Sequence, residues 1–351
     1  MELPTLGKIS PEIFQHVILP ALGAQRSEVI VPPQHGVDVG IVDLGNGQVM
    51  AVTTDPVFIV PAYGWERAAW FAVHILASDA ATSGLRPAYL AIDLNLPVDI
   101  TAEQLEILWT AMHRTCADLG VAVVAGHTAR YEGCNYPMVG GATVIAVGPA
   151  NRYVTPAMAQ VGDRVIVTKG AAIEAAGLFA VTFPDRLAAA YGQEFAEQAQ
   201  ALFWQMSVVA DAMTAVSVGV RDAGVTAMHD ATECGVLGGL VEIAEASKVG
   251  LRVVQDQIIV REDVAKICQL FAVDPYSAIS EGTLILTVRP HKVDAVLAAL
   301  TQHNIAASVV GEIMPPDYGV RIVVDGKERP LEHPRVDPFW AAFGRALAEA
   351  E

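Results

Sequence analysis

Apolar and polar positions change period several times along this chain, and each change marks an expected element. In Lys8–Leu22, Ile13, Phe14, Val17 and Ile18 recur at helical spacing and Gly23 closes the run. Val37–Leu44 and Gln48–Thr53 read as two strands joined by Gly45-Asn46-Gly47, a hairpin signal. Trp65–Leu76 predicts a helix with Trp70, Val73 and Leu76 facing a core. Ala88–Leu96 reads as a strand stopped by Pro97. Thr101–Leu119 is expected to be a helix, with Thr101 and Gln104 as a capping box and Gly120 as its stop. Val121–Ala125 predicts a short buried strand, and Val139–Val147 another, turning at Gly148-Pro149.

The same mixture continues beyond Tyr153–Ala159, where the pattern breaks and we expect a domain boundary. Strands are predicted at Arg164–Thr168, Thr226–His229, Leu251–Val254, Thr283–Val288, Ala307–Gly311 and Val320–Val324. Helices are predicted at Pro184–Tyr191, Glu194–Val218, Gly235–Ser247 and His291–Gln302. The acidic, alanine-rich stretch from Pro338 to Glu351 reads as a peripheral helix or frayed tail, and clusters Phe339, Trp340 and Phe343 on one side of such a helix. The resulting expectation is an α+β chain of two domains, 1–155 and 156–337, followed by 338–351.

Composition narrows the function classes. Hydrophobic residues make up 53% of 351 residues, yet no window of eighteen apolar residues exists to predict a membrane span. The formal charge of −17 is offset by no basic cluster, which argues against nucleic acid as a partner. The first residues lack a charged-then-apolar signal pattern, and Cys116, Cys134, Cys234 and Cys268 are dispersed with no C-x-x-C pair. Both features predict a cytoplasmic protein with reduced thiols.

Candidate chemistry rests on isolated aspartates. Asp55 and Asp79 each close an apolar segment, Val49–Val52 and Trp65–Leu76, where the chain is expected to turn, and Asp38 sits upstream in Gly36-Val-Asp-Val-Gly. Mg²⁺ favours one or two carboxylates completed by substrate phosphate and water, so single aspartates on separate loops suit a metal–phosphate site. A capping role for Asp55 and Asp79 fits the residues equally well.

The order of motifs adds a further expectation. Gly36-Val-Asp38, Thr53-Thr54-Asp55, Ser78-Asp79 with Ser83-Gly84, Gly126-His127-Thr128, Met228-His229-Asp230-Ala231-Thr232, Ser280-Glu281-Gly282 and Val310-Gly311-Glu312 follow one another in sequence. This order resembles the aminoimidazole-ribonucleotide-synthetase-like ATP-binding superfamily, and within it the hydrogenase-maturation carbamoyl dehydratase branch. The resemblance spans residues 7 to 325 and implies a homodimer whose N-terminal halves build a shared β-barrel-like sheet, flanked by C-terminal α+β layers. It implies ATP and Mg²⁺ as cofactors, with Asp38, Asp55, Asp79 and Asp230 as metal ligands and Asp79 and Asp230 also serving the chemistry. Lys8, Gly126 and Thr128 are implied phosphate contacts, with Asp230 in a loop before a helix. Asp230 as the cap of that helix is the competing reading.

Three departures from the resemblance stand out. His127 replaces the acidic residue expected between Gly126 and Thr128, and imidazole is a poor Mg²⁺ ligand. Glu233 stands where an arginine is expected. No cysteine follows Cys268, whereas the dehydratase branch works on its own C-terminal cysteine. Two functions follow: an ATP- and Mg²⁺-dependent enzyme activating a carbonyl- or amide-type oxygen on a small or protein-borne substrate, or a non-catalytic nucleotide-binding scaffold.

Overall fold

The computed structural model describes residues 9 and 11–350. A short helical turn, α1 (Pro11–Ile13), continues as π-type and 3₁₀ turns to Ala21. Three strands follow: β1 (Val29–Val31), β2 (Gly40–Gly45) and β3 (Gln48–Phe58). Asn46 and Gly47, both at positive φ, make the tight turn between the last two, as the hairpin signal predicts. Next come α2 (Trp65–Thr82), β4 (Pro87–Leu96), α3 (Ala102–Leu119), β5 (Ala122–Arg130) and β6 (Met138–Pro149). Helix α3 starts at the capping box of Thr101 and Gln104 and ends on Gly120 in the left-handed conformation.

These strands form an open six-stranded sheet in the order β1-β2-β3-β6-β4-β5, parallel only between β4 and β5. Its pairing requires a glycine at 140: a Cβ there would sit 1.9 Å from the Asp93 carbonyl oxygen, at φ +129°. The expected short buried strand at Val121–Ala125 is instead the nine-residue edge strand β5, exposed along almost all its length. Its apolar run faces open space, with Val123 and Val124 uncovered.

The second half contains β7 (Arg164–Thr168), α4 (Ile173–Thr182), α5 (Pro184–Tyr191), α6 (Gln193–Ala199), α7 (Val209–Val218), β8 (Val225–Asp230), α8 (Gly235–Ser247), β9 (Gly250–Val254) and α9 (Glu262–Leu270). It ends with β10 (Leu284–Val288), α10 (Val293–Gln302), β11 (Ala307–Met314), β12 (Val320–Val324), β13 (Lys327–Pro330) and α11 (Pro338–Ala350). The open seven-stranded sheet runs β13-β12-β9-β11-β7-β10-β8. Helix α8 covers one face through Val236, Leu240 and Ile243, while α7 and α10 cover the other. The expected single helix over Glu194–Val218 is broken into α6, a 3₁₀ turn and α7, with Met206–Val208 between. Two helices had no expectation, α4 and α9. The first is buried all round, so it shows no amphipathic period.

Helix α2 joins the halves. Ala-rich and buried on most sides, it packs on β3 and α3 in one direction and on α7 and β8 in the other. The chain is thus a two-domain α+β fold with both sheets open. Among the described residues no single helix is long and apolar enough to cross a membrane.

Candidate functional site

Four chain segments meet around the last turn of α2. Asp79 lies inside that helix, which runs to Thr82 rather than turning at the aspartate. Its carboxylate accepts a hydrogen bond of 3.0 Å from Thr53 Oγ1 on β3. Asp55 is also interior to its element: β3 continues through Pro56 to Phe58, with Asp55 opposite Ala142. Residues two apart on a strand share a face, so Asp55 shares the Thr53 face. Asp230, expected in a loop, is the last residue of β8, opposite Leu284 and buried. The fourth aspartate, Asp38, sits in the loop before β2. That loop lies against α8 because residue 36 is glycine: at φ +70°, its Cβ would press within 3.3 Å of Glu242 Cβ.

His229 ties these parts together. Its Nδ1 is 2.7 Å from Asp38 Oδ2 and 3.7 Å from Asp230 Oδ1, and its Nε2 is 2.7 Å from Glu242 Oε2 on α8. Ligand atoms of Asp38, His229 and Asp230 all fall within 4.8 Å of one another, and among the described residues no other three groups do so. Asp55 and Asp79 are neighbours of this set but stand outside it.

Charge crowding is the dominant electrostatic feature. Burial pushes the Asp79 carboxyl well above the usual carboxylate range, and the charges of Asp230, Asp38, Asp55 and Glu281 push it further. Glu281, buried in the turn before β10, is raised by burial and then by Asp230 and Glu174. Neither Glu281 oxygen receives a hydrogen bond of ordinary length and angle; a looser approach of the Ser78 hydroxyl and the charge of Lys169 only partly offset the rise. Burial lifts Glu174 to about 8, against a hydrogen bond of 2.9 Å from the Glu281 backbone N–H. For His229, burial works to lower the pKa, but Asp38 and Glu242 outweigh it and hold it well above the histidine value.

A basic group lies behind the carboxylates. Lys169 Nζ donates to Ser207 O at 2.6 Å and to Asp211 Oδ2 at 2.9 Å. His74 Nδ1 is 2.7 Å from Ser207 Oγ, and burial, helped by Lys169, lowers that imidazole to about 3, leaving it neutral.

The expected residues divide into three groups. Asp38, Asp55, Asp79 and Asp230 come together, from a loop, a strand, a helix and a strand end. Gly126 and Thr128 do not join them: both lie in β5 rather than a loop, at the sheet's far edge, three strands from Asp55 on β3. His127 there pairs with Tyr131 Oη at 2.9 Å. Lys8 lies outside the described residues. Cys234 is buried at the start of α8, where its backbone N–H donates to Asp337 Oδ2 at 2.7 Å.

Four site residues were given no role from the sequence: His229, which stands in the motif Met228-His229-Asp230, and Glu242, Lys169 and Glu174. The signal for the first was its position beside Asp230 at the end of an apolar strand. Lys169 was marked only by Thr168-Lys169-Gly170 after a strand, where Lys169 adopts φ +58°.

The donor chemistry fits a divalent cation. Carboxylate oxygens from several segments, crowded enough to raise one another's pKa, are what a hard cation relieves. Comparison with known proteins identifies the family and the fold. Residues 36–162 match the family model described as AIR synthase related protein, N-terminal domain, and residues 160–324 match its C-terminal domain. The carbamoyl dehydratase HypE of Bradyrhizobium diazoefficiens is 26% identical over 292 residues, 81% of this chain and 79% of that protein. The crystal structure of a HypE-HypF complex has a TM-score of 0.70 at 20% identity, covering 92% of this chain and 99% of that one. AaThiL complexed with AMPPCP and TMP has a TM-score of 0.68 at 19% identity, covering 92% and 97%.

Proposed function

The chain belongs to the AIR synthase related proteins, and from that premise we propose that it is an ATP- and Mg²⁺-dependent enzyme activating a carbonyl- or amide-type oxygen by phosphorylation. The observation that carries this reading is the convergence of Asp38, Asp55, Asp79 and Asp230, from four separate segments, with a buried Glu281 beside them. A scaffold without a bound cation gains nothing from carboxylates that raise one another's pKa. In this reading Asp38, Asp55, Asp79 and Asp230 hold Mg²⁺, which neutralises the phosphates and orients them for transfer. Glu281 faces the site with its lone pairs little used, so it can accept a proton from an activated amide nitrogen. Lys169 keeps the far wall positive.

Gly126 and Thr128 lie too far across the sheet to meet the phosphates within one chain. We therefore place them at the site of a second copy, with β5 joining an equivalent edge in a homodimer. Uncovered Val123 and Val124 on an unpaired strand edge support this arrangement. Residues 1–155 then carry dimerisation and metal, 156–337 the remaining wall, and 338–351 a flanking helix. The substrate is a small molecule or a group borne by a partner protein; the HypE-HypF complex supports the second source. One observation favours a nucleotide-binding scaffold instead: His127, with its Tyr131 partner, takes the place of a carboxylate.

The deciding experiment is calorimetry with AMPPCP, followed by ATP turnover across a panel of amides and thiocarboxamides. Binding is expected with Mg²⁺ and not with a chelator. Asp79→Asn is expected to weaken it by about tenfold or more, as loss of a direct oxygen ligand does. Equal affinity with and without Mg²⁺ would overturn the metal assignment. Binding without turnover of any acceptor would favour the scaffold.

A further inference from the structure

One buried carboxylate ties the last helix to the site. Asp337 stands just before α11 and is 4% exposed. Its Oδ1 accepts a hydrogen bond of 2.8 Å from the Phe339 backbone N–H, as a helix cap does. Its Oδ2 reaches 103 residues back in sequence, accepting a bond of 2.7 Å from the Cys234 backbone N–H at the start of α8. Burial pushes the carboxyl up to about 6, against the pull of the Phe339, Cys234 and Ile279 backbone N–H groups, so it is ionised at neutral pH. Both distant partners lie in turns that carry site acids. Cys234 closes the turn that leaves β8 at Asp230, with φ +64°, and Gly235 follows at φ +59°. Successive left-handed residues, the first of them not glycine, persist only where the surroundings impose them. A Cβ on Gly235 would lie 2.3 Å from the Ala278 carbonyl oxygen, so this turn presses on the segment leading to Glu281. The Ser280 backbone N–H crosses between the two, donating to Thr232 O at 3.2 Å.

We propose that Asp337 is a positioning residue for the phosphoryl-transfer site: by joining the starts of α8 and α11, it fixes the Asp230 turn and the Ile279–Glu281 turn at their working separation. The inference rests on the reading above that Asp230 holds Mg²⁺ and Glu281 faces the acceptor, and it adds the C-terminal segment to the machinery of that site. A carboxylate is required because both of its oxygens accept. An asparagine of the same shape has one acceptor oxygen and sets an NH₂ group against a backbone N–H. Helix α11, expected from the sequence to be peripheral, is the anchor of this carboxylate, through the fully buried Phe339 two residues on.

The test uses the full-length protein, with calorimetry of AMPPCP in Mg²⁺ and nuclear magnetic resonance of ¹⁵N-cysteine-labelled samples. The four cysteines give four backbone amide signals, and the one lost in Cys234→Ser is that of Cys234. Asp337→Asn should move this signal upfield, because a charge-assisted bond is lost. It should also weaken Mg²⁺-dependent AMPPCP binding by about tenfold, the low end for residues that orient a metal ligand. Phe343→Ala removes a ring from the same helix and leaves Asp337 in place, so it should lower Tm while both readings stay at wild type. An affinity loss in Phe343→Ala as large as in Asp337→Asn would overturn the inference, since general loosening of α11 would then suffice. Unchanged affinity in Asp337→Asn would overturn it by showing a bond with no positioning role, and an unmoved Cys234 signal would remove the geometry beneath it. Wild-type binding that ignores Mg²⁺ would overturn the metal assignment and this inference with it, and is told apart because it appears in the parent protein.

Discussion

Replacing Phe339 by alanine tests how the last helix is held. Phe339 is fully buried in the aromatic cluster of the second half, whereas its neighbour Trp340 is 50% exposed. The Phe339 ring lies 5.0 Å from Phe179 and 5.1 Å from Phe343, and Phe179 itself stacks on Phe271 at 4.0 Å. Truncation of a buried phenylalanine costs about 3–5 kcal/mol through lost transfer and cavity terms. Trp340 keeps an edge contact with Phe339 at 5.1 Å, so its removal should cost about 1 kcal/mol. The Arg186–Glu349 ion pair, which links α5 to α11, is exposed and contributes about 0–1 kcal/mol. Apolar packing therefore outweighs charge in docking α11. For a domain of this size, 3–5 kcal/mol corresponds to a fall in Tm of roughly 6–20 °C. Thermal unfolding followed by near-ultraviolet circular dichroism should show that fall for Phe339→Ala and only a few degrees for Trp340→Ala. Equal shifts for the two variants would refute the docked geometry, because only that docking buries Phe339 fully while leaving Trp340 half exposed.

Three further outcomes follow from the site and its edges. Glu174 has a folded pKa raised to about 8 from 4.5, so its stabilising contribution is complete below 4.5 and is lost as pH rises to about 8. In chelator, Glu174→Gln should accordingly gain in melting temperature relative to the parent between pH 5 and pH 8, as measured by calorimetric scans; a constant difference would count against it. Val124→Asp, placing charge on the open β5 edge, should convert a homodimer to monomer in light scattering; a wild-type monomer at micromolar concentration would remove the basis for the dimer. Deleting residues 338–351 should lower thermal stability by at least as much as Phe339→Ala, since it removes the same ring.

Much of the first half was legible because its signals are local. The capping box at Thr101, the stop at Gly120 and the Asn46-Gly47 turn depend on residues within a few positions. The helix α8 and strands β7 and β12 were equally plain, each a clean apolar run bounded by glycine or charge. The failures were tertiary. The chain was expected to turn at Asp55, yet β3 continues through Asp55 and Pro56, the latter opposite Gly141. Helix α4 is apolar on every side because it is enclosed by α9, Phe203 and α11, so no periodicity marks it. The apolar run at Val121–Ala125 signals burial, but Ala122–Ala125 lie exposed on the edge strand β5. The aspartates were legible individually as short polar interruptions of apolar segments. Their meeting was not, because it depends on α2 lying between the halves and on Gly36 bringing one loop onto α8. His229 was given no role for the same reason: its partners are 191 and 13 residues away in sequence.

The charge balance of the site determines what it can bind. Two like charges about 5 Å apart repel by roughly 3 kcal/mol at an effective dielectric of 20, so several ionised carboxylates would strongly oppose a triphosphate. The protein, at −17 overall, offers no compensating field at long range. Lys169, the cation whose charge reaches Glu281, is held by Gln205 O, Ser207 O and the Asp211 carboxylate, leaving it no free donor for phosphate in this arrangement. His229 is likewise taken up between Asp38 and Glu242. Among the described residues, attraction for an anionic ligand must therefore come from cations that arrive with it or before it. Divalent ions reverse the sign of the cluster, turning each mutually repelling aspartate into a ligand. Chelation should then abolish nucleotide affinity outright rather than reduce it by the modest factor expected where lysines and arginines share the task.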